Sequence, residues 1–286
     1  MGMSSACCGP SRESGTSEGR APSTGPAVAR PGLVALPGGT FLMGDESPLA
    51  IPGDAEGPVR PVTVPPFALD ATAVTVGAFG DFVSSSGYVT DAERYGWSFV
   101  FSGLLAPSTP VRGTVAGASW WAAVDGASWR SPCGPGSVAD GEHPVVHVSW
   151  NDANAYCAWA GTRLPTEQEW EYAARGGLSQ QPYPWGSTLP PGLCNIFEGE
   201  FPSSPAGDVG TVPVRSFAPN GFGLFEMTGN VWEWTASPWD TGSDQRVRRG
   251  GSYLCHDSYC NRYRTSARDK NRADDSTGNL GFRCAR

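Results

Sequence analysis

Two cysteines placed five positions apart, Cys255 and Cys260, put the strongest constraint on how this chain folds. Residues five apart in a β-strand point to opposite faces, so a regular strand would hold the two sulfur atoms apart. A turn would bring them together, and the preceding pair, Gly250 and Gly251, permits a sharp bend. We therefore expect Arg249–Arg264 to be an irregular segment and the chemical centre of the protein.

Three interpretations of this cysteine pair stay open on the residues alone. A local disulfide is common in small secreted proteins. Two thiolates also form a soft metal site, and a site with only two sulfur ligands favours Cu(I) over tetrahedral Zn²⁺. The third interpretation is a pair of unrelated buried thiols. The spacing by itself does not choose among the three.

Glycine, proline and tryptophan content predicts a loop-rich fold with short strands and few helices. The chain has 38 Gly, 26 Pro and 11 Trp in 286 residues, which favours turns and a core filled by large aromatic rings. Capping residues and apolar residues at helical spacing predict helices over 76–83, 150–160 and 166–174. Two short strands around a turn are expected within 33–44, and a third strand at 59–64.

The net charge and the N-terminal composition argue against several classes of protein. A formal net charge of −8 without a basic run disfavours nucleic-acid binding, which needs clustered Lys and Arg. No stretch is long and apolar enough to span a bilayer. Residues 1–30 are rich in Ser, Gly, Pro and Ala and lack the apolar core of a secretory signal. We expect a disordered tail over 1–30 and one domain over 31–286, in a cytoplasmic protein.

Several motifs closely resemble those of the formylglycine-generating enzymes, also called sulfatase-modifying factors. The matching segments are His143–Asp152, Arg163–Glu167, Glu169–Gly177, Gly229–Trp234, Arg249–Arg264 and Asn279–Cys284. The broader superfamily shares the motifs in the middle of the chain, whereas the Cys-x-x-x-x-Cys segment is specific to the formylglycine-generating enzymes. The resemblance covers nearly the whole chain from residue 33, and it implies the α+β, C-type-lectin-like fold of that family.

The resemblance also implies a chemistry for the paired cysteines. It implies an oxidase that uses O₂ to convert the cysteine of a Cys-x-Pro-x-Arg segment in an unfolded sulfatase to Cα-formylglycine, with an external thiol as reductant. Cys255 and Cys260 would be catalytic and would hold Cu(I) as thiolates. Ser252 and Asn279 are nearby polar groups suited to orient oxygen or water.

Candidate substrate contacts come from the same resemblance. Trp97 and Ser98 match a segment that lines the substrate groove in the family. Trp120 is a further candidate for the groove wall, with a core aromatic pair as the alternative. Tyr259 and His256 lie within the cysteine segment and complete the set, although a surface hydrogen bond is an equal alternative for His256.

Two oxygen-rich segments resemble calcium sites of the family. Ca²⁺ prefers several oxygen ligands that a short span of chain supplies. The first site would use Asn195, the carbonyl of Ile196, and Asp208. The second would use Glu226, Glu233 and the carbonyls of Met227, Gly229 and Val231. At both sites, ordinary solvated acids and turn residues are the alternative interpretation.

Two further cysteine features follow from the resemblance. Cys157 and Cys284 match positions that form a disulfide in some family members, but stable disulfides are rare in the cytosol, so both states stay open. The tail segment Cys8-Gly9-Pro10-Ser11-Arg12 matches the substrate pattern and is therefore a candidate ligand or substrate of the protein's own groove. Adventitious metal binding by Cys7 and Cys8 is the alternative.

Two other functions fit parts of the sequence. A non-catalytic, lectin-like binding module would keep the tryptophans and the calcium loops, but it would not need both Cys255 and Cys260. A thiol-disulfide oxidoreductase would use the pair without a metal, yet such enzymes usually place Cys-x-x-Cys at a helix N-terminus. Formylglycine generation is therefore the main hypothesis.

Overall fold

The computed structural model of the chain describes residues 9–12 and 32–286. Within those residues the regular elements are short and are joined by long irregular segments. The helices are α1 (Val76–Ser86), α2 (Asp91–Tyr95), α3 (Trp150–Trp159) and α4 (Glu167–Arg175). The strands are β1 (Leu33–Leu36), β2 (Gly39–Met43), β3 (Arg60–Val64), β4 (Phe67–Asp70), β5 (Trp97–Phe101), β6 (Gly113–Val115), β7 (Ala118–Asp125), β8 (Gly199–Glu200), β9 (Ser204–Pro205), β10 (Trp232–Pro238), β11 (Gln245–Arg249), β12 (Arg268–Arg272) and β13 (Leu280–Gly281). The expected loop-rich α+β class is confirmed.

Capping side chains fix the starts of the predicted helices. The hydroxyl of Thr75 accepts the amide N–H of Ala78 at the start of α1. Ser149 begins α3 through a capping box with Asp152, and Thr166 begins α4 through a capping box with Glu169. Each such cap satisfies backbone N–H groups that have no partner inside the helix. All three predicted helices are therefore present, with ends within a few residues of those expected.

The helix α2 was not among the helices predicted from the sequence. Thr90 and Glu93 form a complete capping box at its start. The Thr-x-x-Glu pattern is visible in the sequence, and it was the signal that could have predicted this helix. The helix is only five residues long, so it lacks the apolar periodicity on which the other predictions relied.

Two sheets form the framework of the site. One sheet has the strand order β12-β11-β10-β13, in which β13 runs parallel to β10 and the other neighbours are antiparallel. The other sheet has the order β5-β7-β6. The first two predicted strands are present but do not pair with each other, because β1 pairs with β4 and β2 with β3.

A core rich in aromatic side chains packs between α1, α3 and the four-stranded sheet. Phe79 and Phe82 of α1 meet Tyr156 of α3 at ring-centroid distances of 5.8 and 5.6 Å. Phe282, next to β13, adds an edge contact with Tyr156 at 5.3 Å. Such offset and edge-on arrangements match the quadrupoles of the rings. Both cysteine pairs singled out from the sequence belong to this core.

Four residues of the N-terminal segment, 9–12, lie against the domain. Gly9, Pro10 and Arg12 are buried there, whereas Ser11 is exposed. The rest of the expected tail, 1–8 and 13–30, falls outside the described residues, so the predicted domain boundaries stay a prediction. In the described part of the chain, no helix has the length and apolar character needed to cross a membrane.

Candidate active site

A turn brings the sulfur atoms of Cys255 and Cys260 to within 3.3 Å of each other. The amide N–H of Cys260 donates to the carbonyl of His256 at 2.6 Å, which closes one helix-like turn between the two cysteines. The carbonyl of Cys255 accepts the amide N–H of Phe197 at 3.0 Å and ties the turn to the preceding loop. The expected juxtaposition of the two sulfur atoms is therefore present, and both side chains are buried.

The bend before the turn depends on Gly251. Its φ is +70°, in the left-handed region that favours glycine. A Cβ atom at this position would lie 2.9 Å from both the Arg262 carbonyl oxygen and the Tyr263 Cα. These are backbone atoms that cannot move aside cheaply, so a side chain at residue 251 would push the two halves of the loop apart.

Hydrogen-bond donors face both sulfur atoms. The amide N–H of Ser252 points at Cys255 Sγ at 3.4 Å, and an Nη1 of Arg262 lies 3.9 Å from Cys260 Sγ. Donors and a nearby positive charge stabilise a thiolate relative to a thiol. The pair is therefore placed for anionic sulfur chemistry, although it lies in the apolar core.

Carboxylates from a distant segment hold the arginines of the loop. Arg262 makes two bonds to Asp54, at 2.6 and 3.0 Å, and Arg264 makes two bonds of 2.6 Å to Glu56. Arg249 pairs with Glu171 on α4. Such forked, buried pairs fix orientation as well as charge. Arg264 thus holds the loop in place.

Ser252 and Asn279 meet next to the cysteine pair. The Asn279 side-chain amide donates to Ser252 Oγ at 2.9 Å, and the Thr277 hydroxyl donates to Asn279 Oδ1 at 2.7 Å. This chain of bonds orients the amide so that its nitrogen faces Ser252. The two predicted polar residues are therefore adjacent and fully buried, while their catalytic role stays a prediction.

The predicted substrate contacts fall into two groups. Tyr259 stacks on Phe201 with ring centroids 4.3 Å apart, and Trp120 packs edge-on against both rings, at 5.1 and 5.3 Å. Trp120 therefore belongs to an aromatic wall beside the cysteine loop rather than to a core pair with Trp121. His256 is partly exposed near this wall, and its Nδ1 lies 2.7 Å from the Ser258 hydroxyl.

Trp97 and Ser98 form the second group, at the start of β5. The Trp97 ring packs edge-on against Phe99 at 4.9 Å and remains partly exposed. Ser98 is fully buried, and its role in substrate binding stays a prediction. Its hydroxyl lies 2.9 Å from the Ser276 hydroxyl and 2.9 Å from His147 Nδ1. Sequence reasoning did not single out Ser276.

A cavity of about 310 Å³ opens beside the cysteine loop. Its lining includes Cys194, His256, Asp257 and Tyr263. Burial raises the pKa of the Cys194 thiol to about 12, which keeps this cysteine protonated and unreactive. A larger cavity of about 380 Å³ lies between β2 and α4. It contains none of the predicted site residues, so size alone does not locate the chemistry.

The two predicted calcium segments differ in how well they suit an ion. At the second, both oxygens of Glu233 are engaged, because they accept bonds from the Arg283 guanidinium at 2.7 and 2.8 Å and from the Trp170 indole at 2.8 Å. Glu233 Oε1 accepts only one of these bonds, so a Ca²⁺ ion at this site would share the carboxylate with Arg283. Glu226 accepts the amide N–H groups of Arg215 and Phe217 instead.

At the first segment, the Asn195 side-chain amide donates to the Gly210 carbonyl at 2.8 Å, and Asp208 is exposed. This leaves the Asn195 amide oxygen and the exposed carboxylate as candidate ligands. Calcium binding at either segment stays a prediction. Across residues 9–12 and 32–286, no group of three or more His, Cys, Asp or Glu side chains is arranged to hold a metal ion.

The donor set at Cys255 and Cys260 fits a soft ion. Two sulfur atoms with facing N–H donors suit Cu(I), which accepts low coordination, better than Zn²⁺ or Ca²⁺, which need more ligands. Cys157 and Cys284 form a second close pair, with their sulfur atoms 3.4 Å apart. They approach each other as free cysteines, and the disulfide between them stays a prediction.

Comparison with known proteins decides the family. Residues 19–286 match the model of the sulfatase-modifying factor enzyme 1-like domain. The chain belongs to this family. A formylglycine-generating enzyme of Thermomonospora curvata is 53% identical over 292 aligned positions, which cover 92% of this chain and 96% of that protein. The family predicted from the sequence motifs is therefore confirmed.

Members of the sulfatase-modifying factor family at similar identity differ in activity. A Mus musculus protein named inactive C-alpha-formylglycine-generating enzyme 2 is 49% identical over 265 positions, covering 89% of this chain and 85% of that protein. The solved structure of PvdO from Pseudomonas aeruginosa has a TM-score of 0.65 at 25% identity, covering 89% of this chain and 93% of that one. Similar sequence and fold thus do not by themselves specify the chemistry, and the site residues have to be considered directly.

Proposed function

We propose that this protein converts the cysteine of a Cys-x-Pro-x-Arg segment in a sulfatase to Cα-formylglycine. The relatives named formylglycine-generating enzyme support this activity. The observation that carries the proposal is the turn that holds Cys255 Sγ and Cys260 Sγ 3.3 Å apart, with an N–H donor facing each sulfur. A binding module has no use for such a pair.

The overall reaction balances with O₂ and an external thiol. The net reaction converts the substrate cysteine, O₂ and two molecules of thiol to an aldehyde, hydrogen sulfide, one water molecule and a disulfide. Cysteine oxidation supplies half of the electrons that O₂ takes up. Two molecules of a thiol reductant supply the rest, with two protons, and become a disulfide. We expect the protein to act in the cytoplasm, where reduced thiols are abundant.

Cu(I) is the cofactor that suits this site, and when bound it would supply the activation of O₂. Cys255 and Cys260 would hold it as thiolates, and the N–H of Ser252 and the Arg262 guanidinium would stabilise their negative charge. Arg262 is itself held by Asp54, so its charge stays in place whether or not a substrate is bound.

Ser252 and Asn279 would position the polar reactants. The Asn279 amide is fixed by Thr277, and its nitrogen donates to Ser252 Oγ. The Ser252 hydroxyl hydrogen is then free to point toward the cysteine pair, where it can donate to oxygen or water. The aromatic wall of Trp120, Phe201 and Tyr259 would exclude water from one side of the loop.

The test is conversion of a synthetic peptide. The full chain is incubated with a Cys-x-Pro-x-Arg peptide, Cu(I), O₂ and a thiol reductant, and the peptide is followed by mass spectrometry. We expect an aldehyde product, and none from a peptide with Ser in place of Cys or from a sample without O₂. Peptide binding without conversion would favour a binding module. Disulfide exchange without aldehyde would favour a thiol-disulfide oxidoreductase.

A further inference from the structure

The N-terminal segment Gly9–Arg12 lies in a groove along β12. The side-chain amide of Asn271 lies 3.3 Å from the Gly9 carbonyl oxygen, 3.2 Å from the Pro10 carbonyl oxygen and 3.2 Å from Ser11 Oγ. A Cβ atom on Gly9 would lie 2.2 Å from a guanidinium nitrogen of the buried Arg248. The Gly9 backbone therefore lies directly against the Arg248 guanidinium, the mobile end of a long side chain.

Arg12 fills a pocket that matches a guanidinium group. Its side chain donates to the Asp274 carbonyl at 2.7 Å, the Ser276 hydroxyl at 2.7 Å and the Trp97 carbonyl at 3.0 Å. Its backbone N–H donates to Asp275 Oδ1 at 2.7 Å. Only 5% of the residue is exposed. A buried arginine with this many partners is a specific contact, since an unpaired buried charge would be strongly unfavourable.

Two aromatic rings complete the pocket. The Arg12 guanidinium carbon lies 4.7 Å from the centre of the Tyr95 ring and 5.0 Å from the centre of the Trp97 ring. A guanidinium near aromatic rings is stabilised by the ring quadrupoles. The Tyr95 hydroxyl donates to Asp274 Oδ2 at 2.8 Å, which keeps the ring in place. The pocket thus combines acceptors, carboxylates and aromatic rings around one cation.

Buried hydrogen bonds behind the pocket hold Ser276 as an acceptor. His147 Nε2 lies 2.8 Å from the Pro132 carbonyl, which can only accept, so Nε2 carries the proton and Nδ1 accepts from Ser98. Burial lowers the pKa of His147 to about 4, so the ring is neutral at physiological pH. Ser98 Oγ then accepts the hydrogen bond that the Ser276 hydroxyl donates. Ser276 Oγ in turn accepts the hydrogen bond from the Arg12 side chain.

One short segment joins this pocket to the cysteine pair. Asp274 and Ser276 contact Arg12, and three residues after Ser276 the side chain of Asn279 contacts Ser252 beside Cys255. A peptide spans at most about 14 Å between its first and fifth residues. Residues 274–279 therefore connect the Arg12 pocket to the surroundings of the sulfur pair. Their length is comparable to that of a five-residue peptide.

We propose that Gly9–Arg12 is a built-in competitor, which occupies the arginine pocket of the substrate groove until a sulfatase segment displaces it. The inference rests on the proposed function, because residues 8–12 read Cys-Gly-Pro-Ser-Arg, the pattern of the substrate. It adds that Tyr95, Trp97, Asp274 and Ser276, which contact the Arg12 guanidinium, would hold the arginine of the substrate. The position of Cys8 lies outside the described residues, and the proposal does not depend on its oxidation.

Tethering makes such a competitor effective even if its own affinity is low. Residues 13–31 connect the segment to β1, so it is present at an effective concentration on the order of millimolar. A substrate peptide must compete with this concentration, which raises its apparent dissociation constant and KM. The chemical step is the same once the substrate is bound, so kcat is unchanged.

The primary test is direct binding, which needs no turnover. A fluorescent peptide with Ser in place of the reactive Cys, followed by x-Pro-x-Arg, is titrated into the full chain and into Arg12→Ala, and anisotropy gives the dissociation constant. We expect Arg12→Ala to bind the peptide at least fivefold more tightly. The matched control is Arg20→Ala, which removes an arginine from the same N-terminal region and should leave the constant unchanged.

A second arm tests the pocket itself. In Arg12→Ala, the further change Ser276→Ala should weaken peptide binding, because Ser276 Oγ accepts from the arginine side chain. A peptide with Ala in place of its Arg should bind equally weakly to both proteins. Equal affinity of wild type and Arg12→Ala, together with a lower melting temperature for Arg12→Ala, would mean that the segment is a structural strap, and it would overturn the proposal. If tight binding appears without aldehyde formation in the peptide assay, the proposed function fails while the competitor stands.

Discussion

Two pairs of cysteine sulfur atoms in this protein have nearly the same separation and very different surroundings. Cys255 and Cys260 lie 3.3 Å apart within one loop, whereas Cys157 and Cys284 lie 3.4 Å apart and are separated by 127 positions in sequence. Both pairs are buried in the same aromatic core. Close approach of two sulfur atoms is therefore not what marks a reactive site here.

The difference lies in the charges and donors around the sulfur atoms. The first pair faces a backbone N–H and the Arg262 guanidinium. At the second pair, burial and the neighbouring Cys284 raise the pKa of the Cys157 thiol well above its ordinary value. A thiol that resists ionisation is a poor metal ligand and a poor nucleophile. The comparison teaches that the nearby positive charge and the degree of burial, rather than the distance between the sulfur atoms, distinguish the two pairs.

The largest expected effect comes from Cys255 and Cys260, the loop pair. Cys255→Ser or Cys260→Ser should lower the rate of peptide conversion at least 100-fold, because a serine oxygen is a poor ligand for a soft ion. Cys284→Ala serves as the contrasting variant and should keep most of the activity. Mass spectrometry of the peptide measures the rate, and circular dichroism confirms folding. Normal turnover by either Ser variant would remove the loop pair from the proposed mechanism.

Cys157 and Cys284, the core pair, should affect the stability of the fold instead. Cys284→Ala should lower the free energy of unfolding by about 1–2 kcal/mol, since it leaves a small cavity in a close-packed core. Urea unfolding of the wild type and the variant, with and without reductant, measures the difference. A loss of about 2–5 kcal/mol that disappears in reductant would instead mean that the two sulfur atoms form a disulfide in solution.

The guanidinium beside the loop pair should tune metal affinity. Arg262→Gln should weaken Cu(I) binding by roughly tenfold, because groups that contact the ligands of a metal set their charge and orientation. Arg262→Lys keeps the positive charge and should lose less affinity. Competition with a Cu(I) chelator gives the affinities. Equal affinity for Arg262→Gln and the wild type would show that the donors around the loop pair do not distinguish it from the core pair.

The smallest expected effect is a pH dependence that belongs to the core pair. The folded pKa of Cys157 lies above its ordinary value of 9.0, so the group contributes stability below pH 9 and this contribution is lost as the pH rises toward the folded pKa. Between pH 9 and 10 the loss should be about 1 kcal/mol. Urea unfolding across this range should show the loss in the wild type and not in Cys157→Ala. Identical pH profiles would mean that Cys157 is not a free thiol.

Features set by neighbouring residues could be predicted from the sequence. The capping boxes of α3 and α4 join residues three apart, so their geometry follows from the local chain alone. The turn between Cys255 and Cys260 is equally local, and Gly251 permits the bend that precedes it. The motif-rich segments also identified the family. The same local rule would have found α2, where Thr90 and Glu93 form the cap.

Features that depend on distant partners could not be predicted. Glu233, a calcium ligand by resemblance to the family, is paired with Arg283, fifty positions away, and its role in calcium binding stays a prediction. Ser98, a substrate contact by the same resemblance, is fully buried and hydrogen-bonded to Ser276, and its substrate role stays a prediction. Such pairings depend on which elements the folded chain packs together, and the sequence pattern around one residue carries no information about them.

The sequence by itself determined the family, the loop-rich α+β class, the starts of α1, α3 and α4, and the presence of two thiols within one bend. Only the tertiary structure decided which thiol pair meets donors, which carboxylates are already paired, and that the Arg12 guanidinium reaches a pocket of Trp97, Asp274 and Ser276. The physical reason is range. Caps and turns are made by residues a few positions apart, whereas a buried charge is stabilised only where folding brings its partners from far along the chain.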